Sequence, residues 1–254
     1  MRTIVVTGSA SGIGAAIGTR LRASGARVVG VDLRDAEVLA DLADSAARAE
    51  AVRAVGSAAG GRLDGVVACA GVGPQAEPRT IVSLDYFGAQ GLLDGLRPAL
   101  ARGDRPAAVA VSSNASALPG ADGPLAAACL AGDEAEARRR AATLDGHSCY
   151  AGAKRALASW VRRTAPGAEW AGAGIRLNAV APGAVLTPLL QGGLDHPVYG
   201  PAIRDFPVPT GGFGSPDDIA AVVEFLLGPG ARFLCGSVVF CDGGTDALLR
   251  PDVV

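Results

Sequence analysis

Ile4-Val5-Val6-Thr7-Gly8-Ser9-Ala10-Ser11-Gly12-Ile13-Gly14 joins a short apolar run to a glycine-rich turn. The turn opens into a helical pattern through Ala16, Ile17 and Leu21 that ends near Gly25. Strand, glycine-rich turn and helix in that order make a seat for a pyrophosphate. The glycines let backbone amides approach the phosphate oxygens, and the helix N-terminus adds a favourable dipole. Gly8, Ser11, Gly12, Ile13 and Gly14 are therefore the first candidate contacts of a dinucleotide. The glycines alone would carry little weight; their place between strand and helix gives them meaning.

The next apolar run, Arg27-Val28-Val29-Gly30-Val31-Asp32, ends in an acid. A carboxylate there can accept both ribose hydroxyls of an adenosine and repels a 2′-phosphate. NAD is thus expected over NADP, with Asp32 and Leu33 beside the adenosine. Arg34 is the contrary sign, since its charge could serve a phosphate, and an ordinary strand-end acid is the bland alternative.

Further strands are expected at Glu37–Leu42, Leu63–Ala68, Ala107–Ser113, Ile175–Gly183 and Val238–Gly244, with helices between, including Ser45–Ala59 and Val82–Leu100. Seven strands alternating with helices imply an α/β fold: one doubly wound Rossmann-type domain over residues 1–254, a parallel sheet covered on both faces. No internal repeat or linker interrupts it.

In such sheets the ligand crevice lies at the C-terminal ends of the strands. Ser112 and Ser113 close the fifth strand there, and Ser116 follows close behind. Downstream, Ser148-Cys149-Tyr150-Ala151-Gly152-Ala153-Lys154 sets a phenol and an ammonium four residues apart at the head of a helical segment. Positions i and i+4 share a helix face. Tyrosine is a poor base near neutral pH, with an ordinary pKa of about 10. A cation ~4–5 Å away in an effective dielectric of ~20 supplies roughly 3–4 kcal/mol, enough to bring the phenol well toward neutrality. Tyr150 and Lys154 are the candidate acid/base pair.

The net charge of −2 offers nothing to nucleic acid or an anionic membrane. Five cysteines at scattered spacings fit neither a disulfide framework nor a metal site, and two distant histidines add no metal ligand set. Met1 runs directly into a strand and no apolar run reaches membrane length, so a soluble, cytoplasmic protein is expected.

The Thr-Gly-x-x-x-Gly-x-Gly spacing at Thr7–Gly14, the Ser-Ser strand end and Tyr-x-x-x-Lys together resemble the short-chain dehydrogenase/reductase family, over essentially the whole chain from Thr7 to Gly244. The resemblance implies NAD-linked interconversion of a secondary alcohol and a ketone. It makes Ser113 the catalytic serine, places Asp41 with Leu42 at the adenine, sets Pro182 and Gly183 against the cofactor, and gives Val185 and Thr187 to the nicotinamide carboxamide. Cys69-Ala70-Gly71 stands where the family usually has Asn-Asn-Ala-Gly, and its backbone would pass the cofactor. Asp85 stands where the family has an asparagine whose main chain holds a water in the proton path. Either Asp85 turns inward and charges the lysine's surroundings, or it turns outward and does nothing.

Thirty-six residues separate Ser113 from Tyr150, far more than is usual in the family. The extra segment, about 118–146, carries two Ala-rich stretches expected to be helical, Pro124–Ala131 and Asp133–Leu144. It would either alter the interface of a homo-oligomer, dimer or tetramer, or wall the substrate pocket. Residues 188–214, rich in Gly and Pro, read as an irregular lid whose Leu190, Leu194, Tyr199, Phe206 and Phe213 favour a hydrophobic alcohol or ketone, alicyclic (a steroid, for instance) or aryl. A nucleotide-binding regulator without turnover is the rival from another class. An enoyl reductase would need a wider Tyr–Lys spacing.

Overall fold

The computed structural model describes residues 1–253. Its centre is a sheet of seven parallel strands in the order β3-β2-β1-β4-β5-β6-β7: β1 Thr3–Thr7, β2 Arg27–Asp32, β3 Val38–Leu39, β4 Gly65–Ala68, β5 Ala107–Val111, β6 Arg176–Pro182 and β7 Val238–Cys241. β1, β4 and β5 are buried almost without a break, as expected of parallel strands covered on both faces. The strand order reverses between β1 and β4, which opens a crevice at their C-terminal ends.

On one face lie α1 (Gly12–Ala23) and α10 (Pro216–Leu227), whose Ile17, Leu21, Ile219, Val223 and Leu226 pack on Val6, Val67 and Val109. The other face carries α2 (Ser45–Ala58), α4 (Ala89–Leu100) and α7 (Gly146–Thr164), with Val55, Leu92, Leu96, Leu157 and Val161 in the core. Between them come α3 (Pro78–Val82), α5 (Pro124–Leu130) and α6 (Glu134–Ala141). Later come α8 (Pro188–Leu194), α9 (Tyr199–Arg204) and α11 (Thr245–Leu249).

Three expectations need correcting. The third strand is only two residues long, because its flanks are used otherwise. The Glu37 carboxylate accepts from Gly30 N–H at 2.7 Å, and Asp41 folds into a turn by accepting from Ala43 N–H at 2.9 Å. The helix expected from Val82 begins at Pro78, with Glu77 capping Thr80 N–H, and passes through a wide π turn at Ser83–Gly88 before continuing as α4. The irregular stretch after Thr187 holds two helices; Thr187 caps the first, whose opening residue is Pro188.

Among the described residues no helix is long and apolar enough to cross a membrane.

Candidate active site

The turn after β1 closes tightly. Gly8 and Gly12 hold positive φ (67° and 52°), and a Cβ on Gly14 would sit 2.1 Å from the Gly8 carbonyl oxygen. Only glycine at 14 lets α1 start so close to β1. Asp32, at the end of β2, braces this loop by accepting from Ala10 N–H (3.0 Å) and from Leu33 N–H (2.7 Å). It therefore has a structural task as well as free lone pairs facing the crevice.

Thr7 ties β1 to β4 through its hydroxyl, which accepts from Cys69 N–H (2.9 Å) and Ala70 N–H (2.8 Å). Burial pushes the Cys69 thiol up to about 12, so it is no nucleophile near neutral pH.

α7 is held at its head by Asp145, which accepts from Ser148 N–H at 2.9 Å. A Cβ on Gly146 would meet the Pro74 carbonyl oxygen at 1.9 Å, so the helix begins against the loop that follows β4. Tyr150 and Lys154 then face inward on one stripe, with Lys154 Nζ 5.7 Å from the phenol ring centre. Lys154 is buried and donates to the Val111 carbonyl at 3.3 Å. The Ser112 hydroxyl is spent on the Lys154 carbonyl (2.9 Å), which pins α7 to β5. Ser113 Oγ accepts from Ala115 N–H at 3.1 Å and stands close enough to Tyr150 to pull the phenol's pKa down. Of the three serines, Ser113 is the one beside the phenol.

Asp85 turns inward. It is fully buried on the π turn; Oδ1 accepts from Val72 N–H at 2.9 Å, and Oδ2 lies 3.8 Å from Lys154 Nζ, with no hydrogen-bond partner among the described residues. Gly71 passes between them, where a Cβ would sit 2.8 Å from Asp85 Oδ1 and 3.3 Å from Lys154 Nζ. Burial raises the Asp85 carboxyl to about 6, against the opposing pull of Lys154 and of Val72 N–H. Burial also works against the Lys154 ammonium, but Asp85, Tyr150 and Cys69 outweigh it and hold the lysine above its ordinary value.

The phenol departs from expectation. Burial holds Tyr150 above its usual value, and Asp85 adds to that, while Lys154 and Ser113 pull down without prevailing. A lysine next door lowers a phenol's pKa only to the extent that its charge is not answered elsewhere; here Asp85 answers it.

One prediction follows for Asp85→Asn. A carboxyl whose folded value is raised binds more protons in the folded than in the unfolded state. Its contribution to stability therefore falls as pH rises from about 4 through about 6. Thermal melts of both proteins from pH 4 to 8 should show the variant gaining on the wild type across that window and levelling off above it. A pH-independent difference would contradict the assignment.

All of these elements meet at one cavity of about 470 Å³. It is lined by Gly8, Ser11, Gly12, Ile13, Gly14, Asp32, Leu33, Asp41, Leu42, Cys69, Ala70, Gly71, Ser113, Tyr150, Lys154, Pro182, Gly183, Val185 and Thr187. Asp85 stands behind the wall and Arg34 does not reach it. The remaining lining is mostly apolar, with Val72, Leu84, Leu118, Leu190, Tyr199, Ile203 and Phe206; Leu194 and Phe213 are not part of it. Residues between Val185 and Gly214 leave and re-enter through a single parallel bridge, with Leu186 N–H donating to Gly214 O (2.8 Å) and Gly214 N–H to Ala184 O (2.9 Å). Thr187 Oγ1 caps α8 at Leu190 N–H and donates to the Val185 carbonyl. Gln75 and His147 also line the cavity, and no sequence motif singles them out as site residues, although His147 precedes Tyr150 by three residues, one helical turn on the same face.

A short chain dehydrogenase model matches residues 2–128, and a model described as enoyl-(acyl carrier protein) reductase matches residues 136–246. The chain is 46% identical over 256 residues to the 3-alpha-hydroxysteroid dehydrogenase/carbonyl reductase of Comamonas testosteroni, covering 99% of both. The chain belongs to the short-chain dehydrogenase/reductase family. Short-chain dehydrogenase/reductase proteins are oxidoreductases, and this chain is an enzyme of that kind. The crystal structure of the 3-alpha-hydroxysteroid dehydrogenase from Pseudomonas sp. B-0831, complexed with NADH, superposes with a TM-score of 0.97 at 48% identity, covering 99% of this chain and 100% of that one. The coniferyl-alcohol dehydrogenase of Pseudomonas sp. strain HR199 is more distant, at 28% identity over 268 residues and 96% of each chain.

Proposed function

We propose that the protein is an NAD(H)-dependent oxidoreductase that interconverts a secondary alcohol and a ketone on a hydrophobic substrate, a 3α-hydroxysteroid or related carbonyl compound. What carries the reading is one cavity lined by the acid that ends β2, by Ser113, Tyr150 and Lys154, and by the apolar side chains of the 188–206 helices. The substrate class is supported by the near-complete alignment with a hydroxysteroid dehydrogenase at 46% identity.

The residues present fit a dinucleotide: a glycine-rich loop whose closure a Cβ at Gly14 would block, and a strand-end carboxylate at Asp32. In this reading Gly8, Ser11, Gly12, Ile13 and Gly14 hold the pyrophosphate, and Asp32 with Leu33 the adenosine ribose. Asp41 and Leu42 flank the adenine. Cys69, Ala70, Gly71, Pro182, Gly183, Val185 and Thr187 line the nicotinamide end. When bound, the cofactor supplies the hydride acceptor for oxidation and the donor for reduction.

Tyr150 takes the carbinol proton as the ketone forms and returns it in the reverse direction. Ser113 donates a hydrogen bond to the same oxygen and steadies its developing charge. Lys154, fixed by the Val111 carbonyl and by Asp85, keeps a positive charge beside the phenol. The segment 188–214 acts as a substrate lid hinged at the Val185–Gly214 bridge. The enzyme works as one 1–254 domain in the cytoplasm.

A homo-oligomer, dimer or tetramer, fits the surface. α5 and α6 cover part of α7 and α3, while Phe233 (100% exposed) and Phe225 (51% exposed) stand free on the surface. An interface altered by the inserted helices, which cover part of α7, belongs to this reading.

Initial rates with androsterone, a simple cyclic ketone and an aryl alcohol, each with NAD(H) and NADP(H), test the substrate. The steroid with NAD(H) should be turned over most efficiently. Asp32→Ala should weaken NAD far more than NADP, read as KM for each; equal losses would mean that Asp32 does not sense the 2′ position.

A further inference from the structure

The residue that presents Asp85 to Lys154 is itself held from outside the sheet. Ser83 opens the π turn two residues before Asp85 and is completely buried. Its hydroxyl and its carbonyl each accept from an arginine side chain. Arg138 on α6 donates to Ser83 Oγ at 2.7 Å, and Arg48 on α2 donates to the Ser83 carbonyl at 3.1 Å. Arg48 is in turn paired with Glu134, the first residue of α6. α6 is fixed beneath by Ala137 and Ala141, both fully buried, and the Ala141 carbonyl accepts from the Cys149 thiol next to Tyr150 at 3.6 Å. The helices between Ser113 and Tyr150 thus grip the turn that carries Asp85 and touch the helix that carries Tyr150.

We propose that α6, through Arg138 and the Glu134–Arg48 pair, is a clamp that positions Asp85 against Lys154, so that the segment inserted between the serine and the tyrosine serves the proton-handling side chains and not assembly alone. This rests on the reading of Tyr150 and Lys154 as the acid/base pair. Ser83, Arg48, Glu134 and Arg138 are positioning residues: none lines the cavity, and each acts through Asp85. π turns concentrate at functional sites because the wide turn displaces a side chain that an α-helix would aim elsewhere. Such a turn stays put only where its surroundings hold it, and two guanidinium groups on one serine do that here.

The charged and titratable groups around the pair are few. Lys154 and Tyr150 face it from α7 and Cys69 from the end of β4; beyond Ser83 stand Arg48, Glu134 and Arg138. Loosening the clamp lets the Asp85 carboxylate leave the lysine. The phenol then loses the negative neighbour that pushes it up, so Tyr150 should ionise at lower pH. Lys154 loses its anchor, and misplacement of a catalytic group by a fraction of an ångström lowers kcat by about tenfold.

The test is Arg138→Ala and Ser83→Ala, singly and together, with Arg138→Lys as the conservative variant and Arg139→Ala as a surface control. Among the described residues Arg139 pairs only with Glu136. Two readouts are taken: the pH profile of kcat, and the pH midpoint of tyrosinate absorbance lost in Tyr150→Phe. The clamp predicts a kcat lower by about tenfold and a tyrosinate midpoint moved down in each single variant. It predicts a double variant no worse than either single, restoration by lysine, and no change in Arg139→Ala. Folded Arg138→Ala and Ser83→Ala proteins with wild-type profiles and midpoints would overturn it, as would strictly additive losses. Should wild type turn over no alcohol, the oxidoreductase reading fails by itself, and the tyrosinate midpoint still decides the clamp.

Discussion

Tyr150→Phe should lower turnover by about 10²- to 10⁴-fold, the span that a positioned acid/base supplies, while NADH still binds with near wild-type affinity. The phenol lies in the shared cavity between Ser113 and Lys154, and the ring itself, which the variant keeps, fills the same space. The loss should fall on kcat. Steady-state rates and a fluorescence titration with NADH separate the two quantities. Normal turnover by the variant would refute the role assigned to the hydroxyl.

Lys154→Met should be harmful in two separable ways. It removes the positive charge from the phenol, so Tyr150, already held high by burial, rises further and oxidation slows steeply at neutral pH. It also leaves a fully buried carboxylate without its ion partner. Breaking a buried pair from one side commonly costs about 3–5 kcal/mol. The sign with pH is fixed by Asp85. Without the lysine its carboxyl value rises beyond about 6, so the destabilisation should be small in acid and grow as pH rises through that range. Lys154→Met combined with Asp85→Asn should recover stability at neutral pH but not activity. Equal instability at pH 5 and pH 8, or full recovery of turnover in the double variant, would contradict the pairing. Thermal melts and initial rates on the same preparations suffice.

Much of this architecture is legible in the residues because its rules are local. Thr7 to Gly14 already states that a strand meets a helix through a turn with no room for side chains, and a Cβ at Gly14 would indeed meet the Gly8 carbonyl. Tyr150 and Lys154 share a face because four residues span about one helical turn. Where sequence falls short, the deciding contact is distant along the chain. Val38–Leu39 stays short because Glu37 reaches back to Gly30 and Asp41 folds on itself. The π turn at Ser83–Gly88 depends on Arg48 and Arg138, thirty-five and fifty-five residues away, and no periodicity announces it. The helices after Thr187 are hidden by Gly192, Gly193 and Pro197, although Thr187-Pro188 is a recognisable helix start. Tyr150 shows the limit of pairwise electrostatics. Its lysine neighbour is visible in the spacing, but burial and Asp85, which set the net direction, belong to the folded environment.

The most direct test of the central claim follows the hydrogen itself. Androsterone carrying deuterium on its carbinol carbon is incubated with the enzyme and NAD, and the reduced nucleotide is analysed by mass spectrometry. Hydride transfer from the carbinol predicts deuterium in the nicotinamide ring of the NADH formed by wild type, and almost none formed by Tyr150→Phe. NADH free of deuterium, or no NADH from the steroid and the aryl alcohol alike, would contradict it.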